Sequence, residues 1–344
     1  MRKTTLIAIG DPSDWDSYKK FIKQNKCFAK SKLVLKTCTY DEFLREQMPV
    51  INTENVMFYF FFPFNYWDKF IEHKHSGEFY GNRSFYDKFE KFWSIILGII
   101  GKHYKENNVS YVNHPEILCN DRDKESTKNI LAKAGIRVAK SILSRKLVDI
   151  NKLAPRSLFL KVRYGSMGKG ITFLEQGRCV SNFGFNKKIS FKYADYGWKF
   201  KTIHKVKDFL KQLLKKDIII EEEINPFLIE GRKFDLRLYV CNGKVLYVYP
   251  RSNSADMVTT NISQGARGET QSYLKKIPNK ILDEAKSDAI KACKAMKLNV
   301  AGVDIMPNSE GKCVTIEVNT FPGFPKVRSF NLSRDIIKGL NDTL

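Results

Sequence analysis

Val314-Thr315-Ile316-Glu317-Val318-Asn319-Thr320-Phe321-Pro322-Gly323 is the stretch on which the reading of this chain turns. Glu317 and Asn319 lie two apart in an apolar, β-branched run. In a strand, such residues point to one face. A buried strand that sets a carboxylate beside a carboxamide bears a desolvation cost unless something binds them. An oxygen-preferring cation such as Mg²⁺ is the natural candidate. Upstream, Asp304 sits in a second strand-like run, Val300-Ala301-Gly302-Val303-Asp304-Ile305-Met306. The turn Asn308-Ser309-Glu310-Gly311 would join the two runs as a hairpin. Two carboxylates and an amide oxygen leave positions for water and phosphate oxygens, which is how Mg²⁺ is usually held. A lone pair of acids is more often structural. Three oxygen donors in apolar strands make Asp304, Glu317 and Asn319 candidate metal ligands.

Working outward, Lys233-Phe234-Asp235-Leu236-Arg237 is followed by Arg251 and by Thr260-Asn261-Ile262. Glu221-Glu222-Glu223 ends an Ile-Ile-Ile strand. Three adjacent acids commonly mark a strand leaving the core. As a hinge between two domains, they would offer backbone groups and one carboxylate to an adenine edge. Tyr164-Gly165-Ser166-Met167-Gly168-Lys169-Gly170 follows a strand bearing Lys161 and returns into another strand. It opens no helix, so it is neither a dinucleotide-binding fingerprint nor a P-loop. A glycine-rich hairpin can still fold its N–H groups over phosphates, although a plain flexible hairpin has the same look. Lys124 and Lys161 would serve as point charges for phosphate. The bland reading makes them solvated lysines, but Leu158-Phe159-Leu160-Lys161-Val162 is otherwise a buried strand.

The chain has 344 residues, enough for two or three domains. No run is long enough to span a membrane, and the N-terminus lacks a signal-peptide core, so a cytoplasmic protein is expected. The seven cysteines are scattered, without a Cys-x-x-Cys pair, which fits reduced thiols and argues against a structural zinc site. The net charge of +22 implies an anionic partner, unless it reflects only a Lys-rich composition. Lysine outnumbers arginine, and specific base or bidentate phosphate contacts favour arginine, which weighs against nucleic acid.

The first 115 or so residues read as an open α/β sheet. Strands are expected at residues 4–9, 33–35 and 56–62. Helices are expected over Trp15–Gln24, capped by Asp14, and over Phe85–Tyr104. A helix opening at Asn120-Asp121-Arg122-Asp123-Lys124 should run to about Lys133 and stop at Gly135. Further helices are expected over Thr202–Lys216, basic and amphipathic, and over Lys280–Met296 with Asn279 as N-cap. Strands are expected at 157–162, 171–175, 217–223, 236–241 and 245–250.

In this order and spacing, the motifs from Asp121 to Phe324 resemble the ATP-grasp superfamily. The likeness is to carboxylate–amine ligases of the ribosomal protein S6 glutamate ligase and glutathione synthetase type. The resemblance implies an α/β (α+β) fold: an N-terminal open α/β domain (1–118), then two α+β subdomains (119–222 and 223–344) that clamp ATP. It implies that Lys124 and Lys161 contact the phosphates. Gly165, Ser166, Met167, Gly168, Lys169 and Gly170 would close over them. Glu221 would meet the adenine amino group, with the Glu222 and Glu223 backbone along the ring edge. Asp235 would hold the ribose, and Arg237 would belong to the same nucleotide site. Asp304, Glu317 and Asn319 would bind two Mg²⁺ ions, or Mn²⁺ in their place. Arg251 and Asn261 would sit at the γ-phosphate and the activated carboxylate. The glutamate ligases carry an arginine two positions before that asparagine, where this chain has Thr259. Arg267 would replace the missing charge. Lys233-Phe234-Asp235-Leu236-Arg237 also resembles tubulin tyrosine ligase relatives, which act on acidic protein tails.

The implied reaction is ATP-dependent amide formation through an acyl phosphate, releasing ADP and phosphate. The acceptor would be an anionic amino acid, peptide or glycan acid, drawn in by the basic Lys199–Lys216 region. A kinase using the same ATP site is the alternative, and a non-enzymatic anion- or nucleic-acid-binding module is a third. Substrate contacts are placed by location alone around Asp11–Trp15 and Phe62–Trp67. The sequence leaves oligomeric state open, a homo-oligomer included.

Overall fold

Thr4–Ile9 forms a strand with every residue buried, as a strand covered on both faces must be. In the computed structural model, which describes residues 3–12, 17–29, 31–72, 79–153, 156–190, 199–325, 327 and 330–344, it lies between Leu33–Cys38 and Asn55–Phe60. Asn108–Tyr111 completes this four-stranded sheet, and all pairings are parallel. The helix Arg83–His103 makes the last crossover. It buries Phe85, Phe89, Phe92, Trp93, Ile96 and Ile100, spaced to form one helical stripe. Asn82 caps it, accepting a bond from the Phe85 N–H. Ser17–Ile22 is helical as expected, whereas Asp14 and Trp15 lie outside the described residues.

Two antiparallel sheets follow. One runs, in spatial order, Lys201–Thr202, Arg178–Ser181, Ile171–Glu175, Leu158–Val162, Ile218–Glu222. The other runs Arg267–Gly268, Lys244–Ser254, Arg232–Cys241, Val300–Pro307, Cys313–Asn319, with Leu228–Ile229 also pairing Arg232–Cys241. The expected hairpin is present, and Gly311 takes φ +71° in its turn. One apolar cluster joins the first sheet, the helix Arg83–His103 and the second sheet. Another packs the third sheet against Ala285, Ala289 and Ala292 of the helix Asn279–Ala295.

Three local expectations are corrected. Asn279 is the first helical residue, and the cap position belongs to Pro278, which has no side-chain oxygen to offer. The basic helix is only Val206–Leu213, because Lys201–Thr202 pairs instead with the edge strand Arg178–Ser181. Asn120–Arg122 is a separate 3₁₀ turn, and Asp123 caps the helix Lys124–Lys133 by accepting from Ser126 N–H at 3.1 Å. The C-terminal helix Leu332–Asn341, not anticipated, buries Leu332, Ile336 and Leu340 in a cluster shared with Leu6 and Phe21 of the first unit. No described helix is long and apolar enough to cross a membrane. All seven cysteines are free thiols.

Candidate active site

A cavity of about 1350 Å³, counting its open mouth, lies between the two antiparallel sheets. Its walls are apolar at Phe159, Ile219, Met306 and Val318, and charged at Lys124, Lys128, Lys161 and Lys169. Lys161 comes from the middle of Leu158–Val162 and Glu221 from the neighbouring strand Ile218–Glu222. Lys161 Nζ donates to Glu221 Oε2 at 2.6 Å, and Lys128 Nζ donates to Oε1 at 2.7 Å. Burial pushes the Glu221 carboxyl upward, but the two ammonium groups outweigh it and hold it at about 2. Both carboxylate oxygens anchor lysines, and Glu221 also lines the cavity. Lys128 was not singled out in the sequence. It lies one helical turn after Lys124, and that i, i+4 spacing was the available signal.

The hinge is likewise more committed than expected. Glu222 N–H bonds Lys140 O at 2.9 Å, and Glu223 N–H bonds Ser157 O at 3.0 Å. Their N–H groups are thus not free to line a base. Ile224, next along the cavity wall, makes no N–H bond among the described residues. Thr315 Oγ1 is buried at the same wall without a hydrogen-bond partner among the described residues. Unpaired polar groups of this kind are what a ligand would satisfy.

The glycine loop closes one end. Met167, Gly168 and Gly170 all take positive φ. A Cβ at Gly165 would sit 2.3 Å from Val162 Cγ2, so that close approach requires glycine. The loop is tied on both sides. Tyr80 Oη accepts from Ser166 N–H at 3.1 Å, Lys169 Nζ donates to Glu72 Oε1 at 2.9 Å, and Gln264 Nε2 donates to Gly168 O at 2.8 Å. Lys124 Nζ donates to Gly165 O and lies 3.6 Å from Glu317 Oε1. Burial lowers the Lys124 pKa, and Glu317 opposes that shift. Of the loop, Ser166, Gly168 and Lys169 line the cavity, while Gly165, Met167 and Gly170 do not.

On the facing sheet, four charges interlock across adjacent strands. Arg251 grips Asp235 with two bonds of 2.6 and 2.7 Å, and Thr260 Oγ1 donates to the same carboxylate at 2.5 Å. Arg237 grips Asp304 through two bonds, one of them 2.7 Å. Arg251 Nη2 reaches Asp304 Oδ1 at 3.1 Å. Asp235 is buried and committed to Arg251 and Thr260, though it borders the cavity. Arg237 lies off the cavity lining and grips Asp304. Arg267 is not among the residues lining the cavity. It stands exposed on an edge strand, 3.8 Å from Glu269, away from the cavity. Asn261 does line the cavity, where its Oδ1 accepts from Ser263 N–H at 3.2 Å.

Asp304 and Glu317 are direct cross-strand partners. Asn319 lies two residues beyond Glu317, and its Nδ2 donates to Gly302 O at 3.3 Å, leaving the amide oxygen available. Among the described residues, no three His, Cys, Asp or Glu side chains form a metal cluster. Two carboxylates and one amide oxygen are all hard donors, the type Mg²⁺ takes when substrate oxygens and water complete its shell. The donor chemistry fits such an ion, with Asp304 shared with Arg237 and Arg251. In the first unit, Asp11 Oδ2 accepts from Asn65 N–H at 2.9 Å, and burial pushes its carboxyl up to about 6. Asp11 and Phe62–Trp67 do not line the cavity. Neither does the helix Val206–Leu213.

Two antiparallel sheets gripping one such cavity, behind a parallel α/β unit, define an ATP-grasp protein. The chain belongs to the YheC/D-like ATP-grasp family, whose model matches residues 145–340. It is 25% identical over 232 residues to a probable alpha-L-glutamate ligase of Shewanella halifaxensis, covering 66% of this chain and 43% of that protein. A probable alpha-L-glutamate ligase of Haemophilus influenzae is 26% identical over 242 residues, covering 69% of this chain and 68% of that one. The chain thus spans less than half the length of the Shewanella relative. Among solved structures, the ATP-grasp ligase PsnB complexed with minimal precursor matches with TM-score 0.59 at 14% identity, covering 99% of this chain and 100% of that one. The macrocyclase MdnC of Microcystis aeruginosa, bound with precursor peptide MdnA, matches with TM-score 0.59 at 12% identity and the same coverage. At these identities the likeness is one of fold.

Proposed function

We propose that this protein is an ATP-dependent carboxylate–amine ligase. One observation carries the reading: a single cavity joins Lys124 and Lys128 of one helix and Lys161 of one sheet to the Asp304–Glu317 pair and Arg251 on the other sheet. ATP would lie with its base against Phe159, Ile219, Met306 and Val318, reading Ile224 N–H. Its phosphates would meet Lys124, Lys161 and the glycine loop. The substrate carboxylate attacks the γ-phosphorus, the bond to the β-phosphate oxygen breaks, and ADP leaves behind an acyl phosphate. An amine then adds to the acyl carbon, phosphate departs, and an amide forms with loss of the amine proton.

The protein supplies position and charge rather than a nucleophile. Arg251, fixed by Asp235, presents a rigid cation beside the transferring group. Mg²⁺ held by Asp304, Glu317 and Asn319 would supply further charge neutralisation at the phosphates. The names of the relatives and the peptides bound in MdnC and PsnB support an amino acid or peptide as substrate. The net charge of +22 supports an acidic one.

The test is product analysis with ATP, Mg²⁺, pooled amino acids and short acidic peptides. Equal release of ADP and free phosphate, dependent on the pool, is expected. ADP without phosphate would indicate a kinase, and failure to bind ATP would sink the reading.

A further inference from the structure

Arg122 is 7% exposed, yet its guanidinium has no hydrogen bond among the described residues. It stacks over three aromatic rings, with its central carbon 4.9 Å from the Phe62 centroid, 5.3 Å from Trp67 and 5.9 Å from Phe89. Its Nε faces Asp121 Oδ1 at 3.6 Å, too far for a hydrogen bond, and neither atom has another partner among the described residues. The two terminal nitrogens keep some contact with solvent. Asp121 and Lys124, flanking it in sequence, both line the nucleotide cavity.

Burying most of a guanidinium is costly when its Nε finds no hydrogen-bond partner, and stacking on rings offsets only part of that cost. An anion accepting two parallel N–H bonds would satisfy it. The aromatic wall lowers the local dielectric and strengthens such a contact. Asp121 sets the charge of the ligand. Its carboxylate already neutralises the Nε edge and would repel a phosphate dianion, whereas a monoanionic carboxylate is tolerated.

We propose that Arg122 is the receptor for a substrate carboxylate, one that anchors the acidic amino acid or peptide and is not itself activated. The site lies just beyond the nucleotide cavity, where the aromatic segment around Phe62 and Trp67 meets the Asn120–Arg122 turn. The proposal rests on the ligase reading above for the identity of its ligand, not for the site.

The test uses the intact protein. The Arg122 Nε–H signal is followed by NMR in the presence of ADP, identified by its loss in Arg122→Lys. Sodium L-glutamate is titrated against sodium chloride at equal ionic strength, with inorganic phosphate as a separate arm. A saturable shift with L-glutamate alone is expected. In Arg122→Met, which keeps the stacking volume, L-glutamate affinity should fall about tenfold to a hundredfold while ADP affinity stays within about twofold. No shift with L-glutamate, or an equal response to phosphate, would overturn the carboxylate site. Mass mapping of phenylglyoxal modification at Arg122 gives the same readout without a variant, and L-glutamate should slow it. ADP binding is measured on the same sample. If ADP fails to bind while Arg122 responds, the ligase reading falls and the anion site stands.

Discussion

Arg251 and Asp304 meet across an intervening strand. Nη2 of the first lies 3.1 Å from Oδ1 of the second, although Arg232–Cys241 separates their two strands. That contact couples Arg251, the cation proposed to face the transferring group, to the Asp304–Glu317 pair. It exists because Asp235 and Arg237, two apart on the middle strand, share one face and grip one partner on each side.

Removing Arg251 should therefore cost turnover more than nucleotide binding. Arg251→Met is expected to lower kcat roughly 100- to 1000-fold, the effect of deleting a preorganised charge donor. ATP affinity should stay within about threefold. Arg251→Lys should not rescue, because a point charge cannot reproduce the two-bonded grip on Asp235. Steady-state kinetics and ATP titration decide this.

Glu221 links pH to stability. Its carboxyl sits at about 2 in the fold, against an ordinary value of 4.5. A depressed pKa gives stabilisation that is full above 4.5 and lost as pH falls toward 2, on the order of 3 kcal/mol. Glu221→Gln should flatten that acid limb. It should also destabilise the protein at neutral pH by about 3–5 kcal/mol, since Lys128 and Lys161 lose their counter-charge. Urea unfolding across pH measures both.

Asp11 acts in the opposite sense. Burial first, then nearby Asp41 and Asp68, hold its carboxyl up to about 6, against the Asn65 N–H bond. The folded state keeps its proton longer than the unfolded state, so stability should fall as pH rises from 3.8 to about 6. Asp11→Asn should remove that fall, leaving the variant less sensitive to pH in this window by thermal melting.

Glu72 holds Lys169 of the glycine loop while accepting from Trp67 Nε1 at 2.7 Å. Glu72→Gln should loosen the loop, speeding amide exchange over residues 165–170 by roughly tenfold through loss of a charge-assisted bond. Hydrogen exchange by mass spectrometry reads this directly. Unchanged exchange would mean that the loop's other ties, Tyr80, Gln264, Lys124 and Asn182 among them, suffice to hold it.

The sequence made the Glu317–Asn319 alternation legible because strand geometry alone puts both on one face. Lys161 was legible because a lysine inside a buried strand demands a partner. The partners were not legible. Asp235 and Arg237 look the same in sequence whether they hold a ligand or each other's neighbours, and only strand register shows the latter. Nor does anything local to Arg267 say that Arg267–Gly268 is an edge strand. Lys128 and Arg122 lie in a stretch whose charges read as a solvated helix start, and only packing buries them.

Acyl-phosphate formation is the claim most directly open to measurement. The protein is incubated with ATP, Mg²⁺, pooled amino acids and short acidic peptides, with hydroxylamine as surrogate amine and Glu317→Ala as control. A hydroxamate formed by the unmodified protein and not by the variant is the predicted result, and its mass names the carboxylate. ATP consumption with ADP released and no hydroxamate from any carboxylate would contradict ligase chemistry.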